Sequence, residues 1–270
     1  TLNADQVAKR VTSNTIMIYA SAPSYMHGVI DPIPELSKVA KRNNIGLHVD
    51  ACLGGFFLPF AKQLGYDIIP FDFSNPGVTS ISADLHKYGY GPMTRSVVLY
   101  RNEDFRQAQY FAYPKFTGGL YATPTIAGSR PGALLACAWA TMMSIGEEGY
   151  QERVKAIVEA CRQLASGIAN MEDLEVCGQQ LPTLSVAFTS DTLDIYRIAD
   201  HMKDKNWSIN SMQNPPCLDF IMTLNTVPKI DQFLADLGTA VKLTRKEGAD
   251  GKSMGSAKIY GAVGKMPSGP

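Results

Sequence analysis

The chain has 270 residues, of which 45% are hydrophobic and 19% charged, a globular composition that excludes disordered, collagen-like and coiled-coil classes. Its 25 basic and 25 acidic residues cancel to a formal net charge of +0, without the broad positive field that a nucleic-acid partner would require. The length suits one or two domains, and no run of about 18 apolar residues is present to span a membrane.

The opening TLNADQVAKR lacks a basic start followed by an apolar stretch, so no signal peptide is expected there. With no initiator Met, the chain is expected to be a segment of something longer. Residues 5–11 read as a helix and residues 15–20 (TIMIYA) as a strand. Residues 32–44 open on prolines and place Leu36, Val39 and Ala40 at helical spacing, with Asn43, Asn44 and Gly46 ending the helix. A strand over 45–51 (IGLHVDA), a loop and short helix through residue 65, and strands over 77–83 (GVTSISA) and 96–100 (SVVLY) follow. This alternation predicts an α/β layer with a largely parallel sheet. Residues 117–132 are rich in Gly, Pro, Thr and Ser and read as an ordered loop.

Two helices come next. The first, 131–145, reads as buried; the second, 147–170, carries Val154, Ile157, Val158, Cys161, Leu164 and Ile168 on one stripe. Short strands over 174–177, 183–188, 207–211 and 220–224, with helices over 194–205 and 227–246, predict a small α/β domain. The expected division is a large-domain part over 1–146, a connecting helix over 147–170, the small domain over 171–250 and a mobile tail over 251–270. No internal repeat is visible. Cys52, Cys137, Cys161, Cys177 and Cys217 are odd in number and contain no CxxC pair. They read as reduced thiols of a cytosol-facing protein, with no structural metal.

Two clusters carry chemistry. In Ser82-Ala-Asp-Leu-His86-Lys87-Tyr-Gly-Tyr-Gly, a lysine follows a predicted strand and enters a glycine-containing loop. Such an amine can form a Schiff base once burial or a nearby cation frees it of its proton, with His86 and Ser82 as donors to a phosphate. The other reading is a solvated loop lysine with a capping serine. In His48-Val-Asp50-Ala51-Cys52-Leu-Gly54-Gly55, an aspartate ends an apolar strand, where it needs a cationic or donor partner. A pyridinium nitrogen is one such partner, with Ala51 leaving room for a flat ring; a cap on the next helix is the alternative. Together the clusters put a carboxylate and an amine at the carboxyl ends of two strands, where open α/β sheets bind ligands. That pairing is the one pyridoxal phosphate needs.

HVDACLGG, TSISADLHKYGYGP, GGLYATPTIAGSRPG and HGVIDPIPELSKVAKRNN together closely resemble the sphingosine-1-phosphate lyases, of the fold-type-I pyridoxal phosphate superfamily near the group II decarboxylases. The resemblance covers residues 19–261. It implies a mostly parallel large-domain sheet, incomplete here, plus a small carboxyl-terminal α/β domain. It implies that Lys87 carries the Schiff base, that Asp50 keeps the pyridinium nitrogen protonated, that Ala51 lies under the ring, and that His86 and Ser82 reach the cofactor phosphate. His27 resembles an active-site histidine near ring and substrate, with a turn histidine as the alternative. Gly118, Gly119 and Tyr121 resemble the segment that enters the partner subunit's site, which implies a homodimer with shared sites. Arg95 is a substrate-side cation; Arg130 serves an anionic group or clamps its loop.

The implied reaction is retro-aldol cleavage of a phosphorylated sphingoid base to a fatty aldehyde and phosphoethanolamine. The implied setting is the endoplasmic reticulum membrane in a eukaryote, with any anchor outside this stretch, or the cytoplasm in a bacterium. The chain departs from the family pattern at Met93, where a second lysine is usual. The family's amino-terminal half, with its phosphate-cupping helix start, is expected to lie outside this stretch. A group II amino-acid decarboxylase and a non-catalytic, dimerising chain are the competing readings.

Overall fold

Helix α1 (Ala4–Arg10) starts where the Asn3 side chain accepts from the Gln6 N–H, satisfying one of the donors that a helix start leaves open. The computed structural model describes residues 2–178 and 183–248. Within them the chain divides into two compact units, residues 2–23, 30–63 and 68–150 in one and 24–29, 64–67 and 151–248 in the other.

In the first unit, β1 (Met17–Ser21), β2 (Gly46–Asp50) and β3 (Ser80–Asp84) run parallel in that order, and β4 (Ser96–Tyr100) closes the sheet antiparallel to β3. The sheet is therefore mostly parallel, as the alternation implies. The two-residue period sorts its faces. Ile18, Ala20, Leu47 and Val49 are buried with Ile33, Leu36, Val39 and Ala40 of α2 (Ile33–Arg42), which packs on β1 and β2. Tyr19, His48, Asp50 and Ser82 occupy the other face, in register Tyr19 with His48 and Asp50 with Ser82. A one-turn 3-10 helix (Gly54–Phe56) and α3 (Leu58–Gln63) follow β2.

β3 starts later than the expected 77–83. The Gly77 N–H is bonded to Ser37 Oγ at 2.8 Å, which ties Gly77 to α2, whereas the Thr79 N–H already bonds Leu47 O of β2 at 2.8 Å. The loop expected over 117–132 is partly a strand. β5 (Phe111–Tyr113) and β6 (Tyr121–Thr123) form a two-stranded sheet, preceded by α4 (Glu103–Gln107) with Asn102 as its cap. Their aromatic and β-branched residues favour pairing over the local Gly and Pro signal.

α5 (Gly132–Ala169) breaks at Gly146, whose φ of 65° and ψ of 175° leave the helix, so the expected two helices are present. The first of them is not buried. Leu135, Trp139 and Met143 are 66%, 65% and 65% exposed, because no described residue covers that apolar stripe.

The second unit holds an antiparallel sheet in the order β7 (Glu175–Cys177), β8 (Ser185–Thr189), β10 (Cys217–Ile221), β9 (Asn210–Met212). α6 (Ile195–Asp204) and α7 (Ile230–Glu247) pack together on one face, where Phe220 of β10 meets Phe233 of α7 at 4.3 Å between ring centroids. Trp207, expected to begin a strand, instead stacks edge-on against Phe233 at 5.0 Å and donates to Asp236 at 2.9 Å. The expected tail 251–270 lies outside the described residues. No described helix is long and apolar enough to cross a membrane, and no described group of three or more His, Cys, Asp or Glu could hold a metal ion.

Candidate active site

Parallel pairing brings the carboxyl ends of β2 and β3 side by side, and the chain leaving each strand is pinned to the other. The Ala51 N–H donates to Ser82 O at 2.9 Å, and the Asp84 N–H to Cys52 O at 3.3 Å. Asp50 therefore sits one strand from the loop that carries Lys87. Its carboxylate accepts three bonds, from the Cys52 N–H at 2.9 Å, the Tyr19 hydroxyl at 2.8 Å and the Ser82 hydroxyl at 3.1 Å. Burial pushes this carboxyl up, but the three donors outweigh it and hold Asp50 below the ordinary range. Burial, with the bond to Asp50, raises the Tyr19 phenol to about 12. The next helix starts from Leu53 with no side-chain cap, so Asp50 does not serve as a helix cap.

His48 extends this network. Its Nδ1 is 2.8 Å from Ser80 Oγ and its Nε2 is 3.2 Å from Ser82 Oγ. Burial lowers its pKa against the pull of Asp50, so the ring is neutral. Ser82 has one proton and gives it to Asp50, so here it orients the carboxylate instead of facing a phosphate. Ala51 is fully buried and offers no open surface to a ring in this structure. Beside it the strand end is packed closely enough that a Cβ on Gly55 would come within 2.5 Å of Ala83 Cβ.

Lys87 Nζ is 2.9 Å from Asp84 Oδ2, with the Cys52 thiol nearby. Burial pulls the ammonium down, but Cys52 and Asp84 outweigh it and leave Lys87 above its ordinary value. The lysine is thus a partly buried ammonium ion-paired to a carboxylate, not a freely solvated side chain. His86 sits beside it with Nδ1 2.9 Å from Arg95 O and Nε2 3.8 Å from Asp84. Arg95 donates from Nη2 to Pro131 O at 3.1 Å, while its buried Nε has no partner among the described residues. That orphaned donor suits an anion. Met93 is exposed and adds no cation.

Other expected residues are not gathered here. Gly119 takes a φ of +102° in the turn between β5 and β6, and Tyr121 pairs with Tyr113 in that hairpin. Arg130 is exposed. Among the described residues no hydrogen bond, ion pair or ring contact ties these three to Asp50 or Lys87 of the same chain. His27 belongs to the second unit, where its Nε2 lies 3.6 Å from Cys217 Sγ and burial lowers its pKa. Sequence reasoning missed Tyr19, Cys52 and Asp84. Asp84 stands three residues before Lys87 in the motif itself, a spacing that could have revealed it; nothing local marks Tyr19.

The pyridoxal-dependent decarboxylase conserved domain matches residues 5–190. The sphingosine-1-phosphate lyase of Arabidopsis thaliana is 51% identical over 96% of this chain and 47% of its own length. That of Saccharomyces cerevisiae is 41% identical over 97% and 45%. The chain thus spans about half the length of the curated relatives it matches. Among solved structures, a sphingosine-1-phosphate lyase of Burkholderia pseudomallei superposes with a TM-score of 0.86 at 44% identity, covering 90% of this chain and 56% of that one. A glutamate decarboxylase of Lactobacillus brevis, at 23% identity and TM-score 0.76 over 90% of this chain and 58% of its own, shares the fold. The α/β architecture is that of the fold-type-I pyridoxal phosphate enzymes, and the chain belongs to the pyridoxal-dependent decarboxylase family.

Proposed function

We propose that this chain carries Lys87 and Asp50 as the reactive amine and the ring-nitrogen partner of a pyridoxal 5'-phosphate-dependent carbon–carbon lyase. Its substrate is a phosphorylated sphingoid base, cleaved to a fatty aldehyde and phosphoethanolamine. The observation that carries the reading is an ionised, triply hydrogen-bonded Asp50 one strand away from the Lys87 loop. The choice of lyase over other members of the family rests on likeness to sphingosine-1-phosphate lyases along nearly the whole chain.

The residues fit the cofactor by charge and donor type. Bound here, pyridoxal phosphate supplies an electron sink for the carbanion left when the bond beside the amine-bearing carbon breaks. Asp50 holds a proton on the ring nitrogen, which requires it to stay ionised, and Tyr19 and Ser82 fix its orientation. Lys87 supplies the amine; Asp84 positions it as an ammonium, whose proton must leave to solvent before the amine is nucleophilic. His86 and the orphaned Nε of Arg95 are the donors available to phosphate. His27 and Arg130 are assigned to the substrate.

The large cofactor domain is assigned to 1–146, the connecting helix to 147–170 and the small domain to 171–250, in a cytosol-facing enzyme. The partner is a second copy of the chain, with Gly119 and Tyr121 entering its site. The exposed stripe of Leu135, Trp139 and Met143 supports such a contact. The test offers the protein, with cofactor, a sphingoid-base phosphate and a panel of amino acids. Fatty aldehyde and phosphoethanolamine are expected. Carbon dioxide from an amino acid would overturn the lyase reading in favour of a decarboxylase, and absence of cofactor absorbance would favour a non-catalytic chain.

A further inference from the structure

Register sets His48 opposite Ser80 and Asp50 opposite Ser82, and the two-residue period puts all four on one face of β2 and β3. Their side chains form a row. Ser80 Oγ is 2.8 Å from His48 Nδ1, His48 Nε2 is 3.2 Å from Ser82 Oγ, and the Ser82 hydroxyl donates to Asp50 Oδ1 at 3.1 Å. The last member fixes the direction of every bond in the row. Asp50, held below the ordinary carboxylate range, is ionised and can only accept. The one proton of Ser82 therefore goes to Asp50, and Ser82 Oγ meets His48 as an acceptor. His48 is neutral because burial lowers its pKa, so its single ring proton lies on Nε2. Nδ1 is left as the acceptor and takes the Ser80 hydroxyl. The other tautomer would draw the Ser82 proton to a bare Nε2 and leave oxygen lone pairs facing each other across the 3.1 Å to Asp50.

We propose that His48 is a positioning residue, whose Nε2–H keeps the Ser82 hydroxyl turned toward Asp50; this role rests on Asp50 being the ring-nitrogen partner. A hydroxyl between two acceptors divides its proton between them. An imidazole that presents a donor to Ser82 removes the second acceptor and polarises the O–H, since hydrogen bonds in a chain strengthen one another. His48 reaches Asp50 through Ser82, so it acts on the ring nitrogen through that hydroxyl. Tyr19 steadies the imidazole from the neighbouring strand. Its ring centroid lies 5.0 Å from that of His48, tilted by 36°, while its hydroxyl donates to Asp50 Oδ2 at 2.8 Å. Ser80 completes the row by occupying Nδ1, which sets the tautomer as the partner of the far nitrogen does for any neutral histidine.

The test begins with the full chain, labelled with nitrogen-15 and free of cofactor, at neutral pH. The chain has four histidines, and the His48 ring signals are those lost in His48→Gln. Nε2 should carry the proton and Nδ1 should be bare. The Nε2–H should exchange slowly with water, and several-fold faster in Ser82→Ala, which removes its acceptor. A bare Nε2 in the wild-type protein overturns the proposal, as does an exchange rate unmoved in Ser82→Ala. The second measurement loads the protein with pyridoxal phosphate labelled at the ring nitrogen. His48→Leu should lower the protonated share of that nitrogen, and His48→Gln, which returns an N–H donor, should restore it. A ring-nitrogen signal unchanged in His48→Leu reduces His48 to packing and overturns its role. If His48→Leu fails to fold, the wild-type tautomer and Ser82→Ala decide. An unprotonated ring nitrogen in the wild-type protein refutes the role of Asp50 and with it that of His48, while a slowly exchanging Nε2–H would show the row itself intact, so the two failures are told apart.

Discussion

Replacing Asp219 with asparagine should make the second unit more stable at neutral and alkaline pH while leaving it nearly unchanged in acid. Asp219 is fully buried on β10. Among the described residues its one close donor is Asn210 Nδ2 at 3.4 Å, and its Oδ1 has no partner. Ser185 faces it from β8 without reaching hydrogen-bond geometry. Burial therefore raises this carboxyl from 3.8 to about 7, with Asn210 opposing only weakly. The other ionisable groups facing it, Cys161 of α5 and Cys217 of its own strand, are pushed up as well and stay protonated.

An acid with a raised folded-state pKa is protonated in the fold while the unfolded chain has already ionised. Stability then falls as pH rises from about 4 to about 7, by roughly 1.4 kcal/mol per pH unit, and the loss is complete above the folded pKa. The gap of about three pH units amounts to about 4 kcal/mol. Asparagine in place of the acid removes that slope, so the variant should gain a few kcal/mol at pH 8 and almost nothing at pH 4. Urea unfolding followed by Trp207 fluorescence in a Trp139→Phe background reads this unit. Parallel pH profiles for the wild-type and Asp219→Asn proteins would refute the reasoning.

Asp50→Asn should keep the fold, since an amide oxygen still accepts from Cys52 and Ser82, while turnover falls by about 10²-fold or more, the loss usual when one preorganised electrostatic partner is removed. Near-unchanged turnover at saturating cofactor would remove Asp50 from the mechanism. Mixing inactive Lys87→Ala with inactive Tyr121→Ala protein under subunit exchange should restore part of the activity, because one hybrid site is intact; no recovery despite proven exchange argues for a site built in one chain. Gly54→Ala should destabilise the first unit by about 1–3 kcal/mol, since its Cβ would fall 2.1 Å from Ala22 O. A thermal midpoint equal to wild type would show that the turn yields.

The strands that frame the site are legible because their signals are local. SVVLY is β4 without a residue's error, and Gly146 breaks the helix between the two expected segments. Asp50 is legible as a carboxylate in need of partners, yet its partners are not, because Tyr19 and Ser82 reach it only through the parallel register. Tyr19 reads as one more β-favouring aromatic in TIMIYA, and only the pairing of β1 with β2 gives its hydroxyl a target. The protonated, Asp84-bound state of Lys87 likewise follows from the turn after β3, not from the lysine's neighbours in sequence. The apolar helix 131–145 misleads for the opposite reason. Its composition asks for burial, and no described residue supplies the covering surface.

The central claim is that Lys87, in the loop one strand from Asp50, is the amine that takes the cofactor. Borohydride reduction of cofactor-loaded protein, followed by peptide mapping, tests it directly. The account predicts a pyridoxyl group on Lys87, lost in Lys87→Ala and retained in Asp50→Asn. A label on any other lysine, or an undiminished label in Lys87→Ala, would contradict it.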